Sequence, residues 1–281
     1  MEHMFIDLHT HTTYSDGELT PYELIKKAYD IGCSLIAITD HDTISGIAEG
    51  RKAAEALGMR FVPGIEISTQ EKEEVHMLGY GIYENNEVLR MACQKFADSR
   101  ARRAELICEF LATKGVAVNM EEICQISGGE IIGRPHFAAY LEKHGYVPNR
   151  KEAFARYLNT PSFHAAVTRQ KPSPQEAIAL IHQAGGKAVL AHPGLLKKNV
   201  YEVEIFIREL KKVGLDGIEC IYNKHTPSQT KKFLELAKKY ELKTGCGSDY
   251  HGEHVKPDVP LGMRVEIEQQ REWELVVNIE N

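Results

Sequence analysis

The chain has 281 residues, 43% hydrophobic and 26% charged, with a net charge of -6, ordinary values for a soluble globular protein with a substantial core in one barrel-sized domain or two smaller ones. No run of about 18 apolar residues occurs, so no membrane span is expected. The acidic balance argues against a protein that coats long nucleic acid.

Short apolar runs alternate with helical patterns. Phe5–Leu8 reads as a first strand and Pro21–Ile31 as a helix, with Pro-Tyr-Glu at its start and Gly32 at its end. Leu35–Ile38 is a second strand, followed by a helix over Ile44–Leu57. Arg60–Ile67 and Val75–Tyr80 are the third and fourth strands. Residues 86–165 read as mainly helical, without a clear strand. Alternation then resumes: a helix over Pro174–Ala184, a strand at Ala188–Leu190, a helix over Val200–Val213, a strand at Gly217–Ile221, a helix over Pro227–Tyr240 and a strand at Lys243–Gly247. Repeated βα units with apolar strands imply an α/β fold whose parallel sheet is covered by helices. The expectation is seven strands closing into a barrel, formed by residues 1–85 and 166–281, with 86–165 as a helical insertion after the fourth strand.

Metal-binding residue types recur at the ends of these strands. His9 and His11 follow strand one, with Asp16 soon after; Asp40, His41 and Asp42 follow strand two. Glu66 lies on strand three, His76 on strand four, His192 after strand five, and Asp249 and His251 after the last. A parallel barrel gathers such positions at one face. Residues i and i+2 of a strand project from the same side, roughly 6.5–7 Å apart, so the two imidazoles of His-x-His can lean onto one ion. Imidazole mixed with carboxylate suits zinc, manganese or iron rather than calcium. A single histidine at such a place is more often structural. Six of the thirteen histidines falling at strand ends, alongside three carboxylates, is not a core-packing pattern.

His9-Thr10-His11, Ser15-Asp16-Gly17, Thr39-Asp40-His41-Asp42, Gly64-Ile65-Glu66, Val75-His76, Ala191-His192-Pro193 and Gly247-Ser248-Asp249-Tyr250-His251 together resemble the motifs of the PHP (polymerase and histidinol phosphatase) family, from the N-terminus to about residue 251. The resemblance implies a distorted (β/α)7 barrel with two or three divalent metal ions, manganese foremost and zinc or iron as alternatives. It implies His9, His11, Glu66 and Asp249 on one ion, Glu66 bridging to a second held by His76 and His192, and Asp16, His41 and His251 on a third. Glu66, Asp249 and His192 would be catalytic by holding a hydroxide between two ions, with Asp40 and Asp42 orienting the histidines from behind.

The segment from Lys95 to Lys171 carries twelve Lys/Arg against eight Asp/Glu, as suits an anionic substrate held locally. Within it, Gly133-Arg134-Pro135-His136 reads as a helix start with free backbone N–H groups, an anion site. Arg134, His136, Lys171, Lys224 and His225 are the candidate substrate contacts. A helical insertion with this segment is similar to the PHP branch of 3′,5′-nucleoside bisphosphate phosphatases and 5′→3′ exonucleases on short RNA. The resulting expectation is a phosphoesterase removing the 3′-phosphate of a nucleoside bisphosphate, with a nuclease on short oligonucleotides second and a non-catalytic binding barrel a distant third. The expected setting is cytoplasmic, with no obligate protein partner evident. The six scattered cysteines read as buried small hydrophobes, Cys246 among them although it precedes Asp249 by three residues.

Overall fold

The barrel helices begin where the sequence places capping signals. Thr20 and Glu23 form a reciprocal capping box on α1 (Pro21–Asp30), and α2 (Ile47–Leu57) ends on Gly58 in the left-handed conformation. Ser173 with Glu176 opens α8 (Pro174–Gln183), Asn199 with Glu202 opens α9 (Val200–Lys212), and Thr226 with Gln229 opens α10 (Pro227–Lys239). Each box satisfies backbone donors that a helix start leaves unpaired. The structure is a computed structural model and describes residues 3–71, 74–128 and 132–266.

The strands are β1 (His3–Asp7), β2 (Leu35–Ile38), β3 (Arg60–Gln70), β4 (Glu74–Tyr80), β5 (Lys187–Leu190), β6 (Gly217–Tyr222), β7 (Lys243–Gly247) and β8 (Met263–Glu266), in the order β7-β6-β5-β4-β3-β2-β1-β8. Beyond the end of β1, the Leu8 N–H donates to the Cys246 carbonyl of β7 at 3.2 Å and Thr10 bridges Tyr250, which brings the sheet round into a nearly closed barrel. This is the distorted barrel expected from the sequence, with two differences. β8, which lacks a preceding helix and was not anticipated, pairs antiparallel with β1. β4 runs antiparallel to both β3 and β5. Only residues 71–73 join β3 to β4, and a parallel crossover needs roughly a dozen residues.

The reversal of β4 decides where His76 lies. It stands near the strand's beginning, opposite Ser68 of β3, so it reaches the same barrel face as the strand ends around it. Buried residues from strands around the sheet fill the interior, including Ile6, Leu8, Leu78, Tyr80 and Val189. Cys246 packs in this cluster, and burial pushes its thiol well above the ordinary range.

The segment between β4 and α8 is helical: α3 (Glu87–Ala112), α4 (Met120–Ser127), α5 (Arg134–Lys143), α6 (Arg150–Ala153), a π-helical turn at Phe154–Leu158 and α7 (Pro161–Ala166). Leu89 and Phe96 of α3 pack into the barrel core, whereas Ala104, Ile107 and Leu111 join a separate core with Phe137, Leu141 and Phe163. No helix among the described residues is long and apolar enough to cross a membrane.

Candidate metal centre and anion cleft

Glu66 lies at the middle of the cluster, fully buried in β3. Its Oε2 is 3.3 Å from His9 Nε2, 3.2 Å from His11 Nε2 and 3.0 Å from His41 Nδ1. Its Oε1 is 2.8 Å from His76 Nδ1 and 3.2 Å from His192 Nε2. One carboxylate thus faces five imidazoles, three on one oxygen and two on the other. Burial raises its pKa, but His41, His9 and His76 outweigh that and hold the carboxyl well below its ordinary value.

Asp249 Oδ1 lies 3.6 Å from His9 Nε2 and 3.4 Å from His11 Nε2, while Oδ2 accepts from Tyr222 Oη at 3.0 Å and Lys256 Nζ at 2.7 Å. Asp16 Oδ1 faces His251 Nε2 at 3.3 Å. All nine sequence-derived ligand positions therefore meet. The donor atoms of eight of them fall into three tight groups: His9, His11, Glu66 and Asp249; His11, Asp16, His41 and His251; and His41, Glu66 and His76; His192 joins none of these and meets the cluster through Glu66 Oε1. The grouping differs from the one the resemblance implied: His11 and His41 each belong to two groups, and His41, not His192, stands with Glu66 and His76.

The donor set fits divalent cations on a direct observation. Among the described residues, the buried side-chain atoms without a hydrogen-bond partner include His9 Nε2, His11 Nε2, Asp16 Oδ1, His41 Nδ1, Glu66 Oε2 and His192 Nδ1. Buried polar atoms are ordinarily satisfied, and here the exceptions concentrate on one set of imidazoles and carboxylates of the kind that binds Mn, Fe or Zn.

The local backbone explains how the ligands are aimed. Asp249, His192 and Asp42 have positive φ values of 61°, 27° and 61°, a conformation uncommon outside glycine that clusters at functional sites. Asp7, buried beneath the site, accepts from the Ser248 N–H at 2.9 Å, Ser248 Oγ at 2.6 Å and the Gly262 N–H at 2.8 Å, tying the Asp249 loop to β1. Gly247 leaves room for His9: a Cβ there would lie 2.2 Å from the His9 Cβ and 2.8 Å from Glu219 Oε1. Gly247→Ala is expected to lower stability by about 1–3 kcal/mol through overpacking and to displace His9. Urea unfolding and bound-metal analysis check both effects.

Asp40 and Asp42 lie behind the site as expected, but neither bonds a histidine directly. Asp40 accepts from the Thr12 N–H and from Thr12 and Ser15 hydroxyls, fixing the loop that carries Asp16. Asp42 accepts from the Ser68 N–H, Arg100 and Arg169. Burial opposes its charge, yet the two arginines prevail and keep its carboxyl below the ordinary range. Two other carboxylates do bond ligand histidines from behind: Glu219 of β6, 2.9 Å from His9 Nδ1, and Glu74 of β4, 3.4 Å from His76 Nε2.

Next to the cluster opens a cleft of about 270 Å³, lined by Asp16, His41, His76 and His192 and by Arg100, Arg103, Arg134 and Arg169. Arg134 starts α5 as anticipated, with Pro135 after it, and its guanidinium lies 3.5 Å from Glu74 and over the Phe154 ring. Lys171 pairs with the same Glu74 at 2.5 Å. Burial lowers its pKa to about 8 although Glu74 pulls the other way. Arg103, half-buried on α3, has a pKa lowered to about 9 by burial and the neighbouring Arg134, and its Nε has no hydrogen-bond partner among the described residues. The sequence reading missed Arg100, Arg103 and Arg169.

Two of the remaining three candidates are engaged elsewhere, and the third lies off the cleft. His136 Nδ1 accepts the Gly133 N–H at 3.1 Å and closes the first turn of α5. His225 is engaged at both ring nitrogens, 3.1 Å from the Cys220 carbonyl and 3.1 Å from the Gly194 N–H, which leaves neither for substrate. Lys224 is exposed and is not among the residues lining the cleft.

A strand-end cluster of imidazoles and carboxylates beneath a cationic cleft defines a divalent-metal barrel suited to phosphate-bearing substrates. The chain belongs to the PHP family: the PHP domain model matches residues 7–213. It is 35% identical over 246 residues to a 5′-3′ exoribonuclease of Haemophilus influenzae, covering 87% of this chain and 89% of that one. It is 34% identical over 248 residues to a 3′,5′-nucleoside bisphosphate phosphatase of Chromobacterium violaceum, covering 88% and 87%. A solved structure from Bifidobacterium adolescentis, described provisionally as a metal-dependent phosphoesterase, matches with a TM-score of 0.85 at 30% identity, covering 96% of this chain and 95% of that one.

Proposed function

We propose that this PHP-family phosphoesterase removes the 3′-phosphate of a 3′,5′-nucleoside bisphosphate, leaving a 5′-mononucleotide, with two or three divalent ions held by His9, His11, Asp16, His41, Glu66, His76, His192, Asp249 and His251. Manganese is the first choice of ion, with zinc or iron as alternatives. The observation that carries this reading is the adjacency of two anion-seeking features: the imidazole–carboxylate cluster and the arginine-lined cleft beside it. A substrate with two phosphates a nucleoside apart uses both.

When bound, the divalent ions supply Lewis-acid polarisation of the reacting phosphoryl group and acidify a water. The chain's own residues do the rest. Glu66, Asp249 and His192 surround the reacting phosphate's seat. Arg103, Arg134 and Arg169, which line the cleft, bind the second phosphate by charge-assisted hydrogen bonds, and Lys171, buried against Glu74 of the cleft wall, adds its charge. Phe154, Leu195 and Leu196 supply the apolar wall of the cleft, against which a base can lie and exclude water. Residues 86–165 serve as a cap unit that contributes Arg103 and Arg134 to the substrate site. All six cysteines are unpaired, in keeping with a reducing cytoplasm.

Lys171 gives the reading a pH signature. With its pKa lowered to about 8, it carries charge below that pH and loses it above. KM for the bisphosphate is expected to rise on the alkaline side, and Lys171→Arg to move this limb upward, read from KM measured across pH 6.5–9.5.

A second reading, a 5′→3′ exonuclease on short RNA, is favoured by the name of the Haemophilus influenzae relative. The two differ in substrate length and can coexist. Assays with Mn²⁺ on a nucleoside 3′,5′-bisphosphate and on short 5′-phosphorylated RNA, scoring free phosphate and released mononucleotide separately, test them. No phosphate from the bisphosphate would refute the first reading.

A further inference from the structure

β6 is apolar except for Glu219, whose carboxylate is wholly buried inside the barrel. A register shift against β7 falls at Glu219–Ile221, an irregularity of the kind that re-aims a side chain. Among the described residues no Lys or Arg pairs with this carboxylate. Its Oε1 lies 2.9 Å from His9 Nδ1 and its Oε2 accepts the His192 backbone N–H at 2.6 Å. A buried carboxylate held by two N–H donors, with no Lys or Arg beside it, needs a function to explain its place in a core.

We propose that Glu219 is a positioning residue that couples two ligands of the metal centre, fixing the ring proton of His9 on Nδ1 and the backbone of His192. This rests on the proposed metal site. An imidazole that donates from Nδ1 presents a lone pair at Nε2. His9 Nε2 is the atom facing Glu66 Oε2 and Asp249 Oδ1. The second contact acts on a strained turn: His192 has φ 27° and ψ 57°, and the Glu219 bond to its N–H, with the His225 bond to the Gly194 N–H, holds that turn in place. His9 belongs to the group with His11 and Asp249, whereas His192 faces the other oxygen of Glu66. Glu219 therefore sets the spacing between ligands on both sides of the bridging carboxylate.

Both contacts require an acceptor. Glutamine offers one oxygen and one NH2 group. Its NH2 either opposes the His192 N–H or donates to His9 Nδ1, forcing the His9 proton onto Nε2, where it points at the ion's place. Gly247 belongs to the same arrangement, since a Cβ there would meet both His9 and Glu219 Oε1.

The test compares wild type, Glu219→Gln and Glu219→Asp for Mn²⁺ and Zn²⁺ affinity by competition with a chelating dye, alongside kcat, KM and urea midpoint. Outer-sphere partners of this kind are worth about 10–100-fold in metal affinity. Glu219→Gln is expected to lose that much, to lose kcat with KM little changed, and to regain part of kcat in excess Mn²⁺. Unchanged metal affinity with only a lower urea midpoint would overturn the proposal and leave Glu219 a structural group. A wild type that binds no ion would instead overturn the proposed metal site, and this proposal with it. Should Glu219→Gln not fold, ¹⁵N-histidine spectra of the zinc-loaded wild type decide, with the His9 signal assigned by its loss in His9→Gln. A slowly exchanging proton on His9 Nδ1 is expected, and a proton on Nε2 would refute the inference.

Discussion

Glu66→Ala is expected to lower phosphate release on the order of 10³-fold or more, since bound metal ions supply several kcal/mol of transition-state stabilisation and each 1.36 kcal/mol is tenfold in rate. Five imidazoles face its two oxygens, His9, His11 and His41 on one and His76 and His192 on the other. Its loss separates the His9–His11 side from the His76–His192 side and removes the negative charge that draws cations between them. The fold should survive, because the backbone of Glu66 is held by its ladder to β4 and by the bridge to His41, neither of which involves the side chain. Glu66→Gln tests charge rather than volume, and the same order of loss is expected from it. The measurements are kcat/KM with excess Mn²⁺ and far-ultraviolet circular dichroism. Activity within tenfold of wild type in either variant would remove the bridging carboxylate from the mechanism.

Arg103→Ala is expected to cost roughly 1.5–3 kcal/mol of binding to a bisphosphate substrate, the usual worth of a hydrogen bond to a charged group, or about 10–150-fold in kcat/KM. Arg100 and Arg169 share Asp42, and Arg134 and Lys171 share Glu74, whereas Arg103 Nε has no partner among the described residues. A half-buried guanidinium with its pKa lowered by burial and a neighbouring arginine is a strained charge, and an arriving phosphate relieves that strain. The effect should therefore be selective. A 3′-monophosphate, lacking the second phosphate, should lose little on the same substitution. Equal losses on both substrates would place Arg103 at the reacting phosphate or in the fold, not at a second anion seat.

Much of this site was legible because its ligands sit in short motifs at strand ends, and strand ends can be read from apolar runs. The reversal of β4 was not, since its sequence alternation does not reveal direction; the short link at residues 71–73 was the available clue. His76 was found by motif and lies at the predicted face for a reason the parallel-barrel expectation did not contain. Arg100 left a readable trace. It falls on the buried stripe of α3 with Phe96, Ala104, Ile107 and Leu111, and a charge on an apolar stripe calls for a partner. Glu219 left the same trace in an otherwise apolar β6. Lys224 and His225 were selected for following a strand, but the chain turns there into the capping box of α10. His225 is spent on backbone groups at that turn. Where a loop directs its side chains depends on tertiary hydrogen bonds that local spacing does not encode.

The most direct measurement is the metal content of the Mn²⁺-reconstituted, dialysed protein and of its His9→Ala variant, paired with phosphate release from a nucleoside 3′,5′-bisphosphate. At least two ions per chain in the wild type, with fewer ions and no turnover in the variant, is the predicted result. Full phosphate release from a chain holding less than one ion, or identical metal content and activity in the variant, would contradict it.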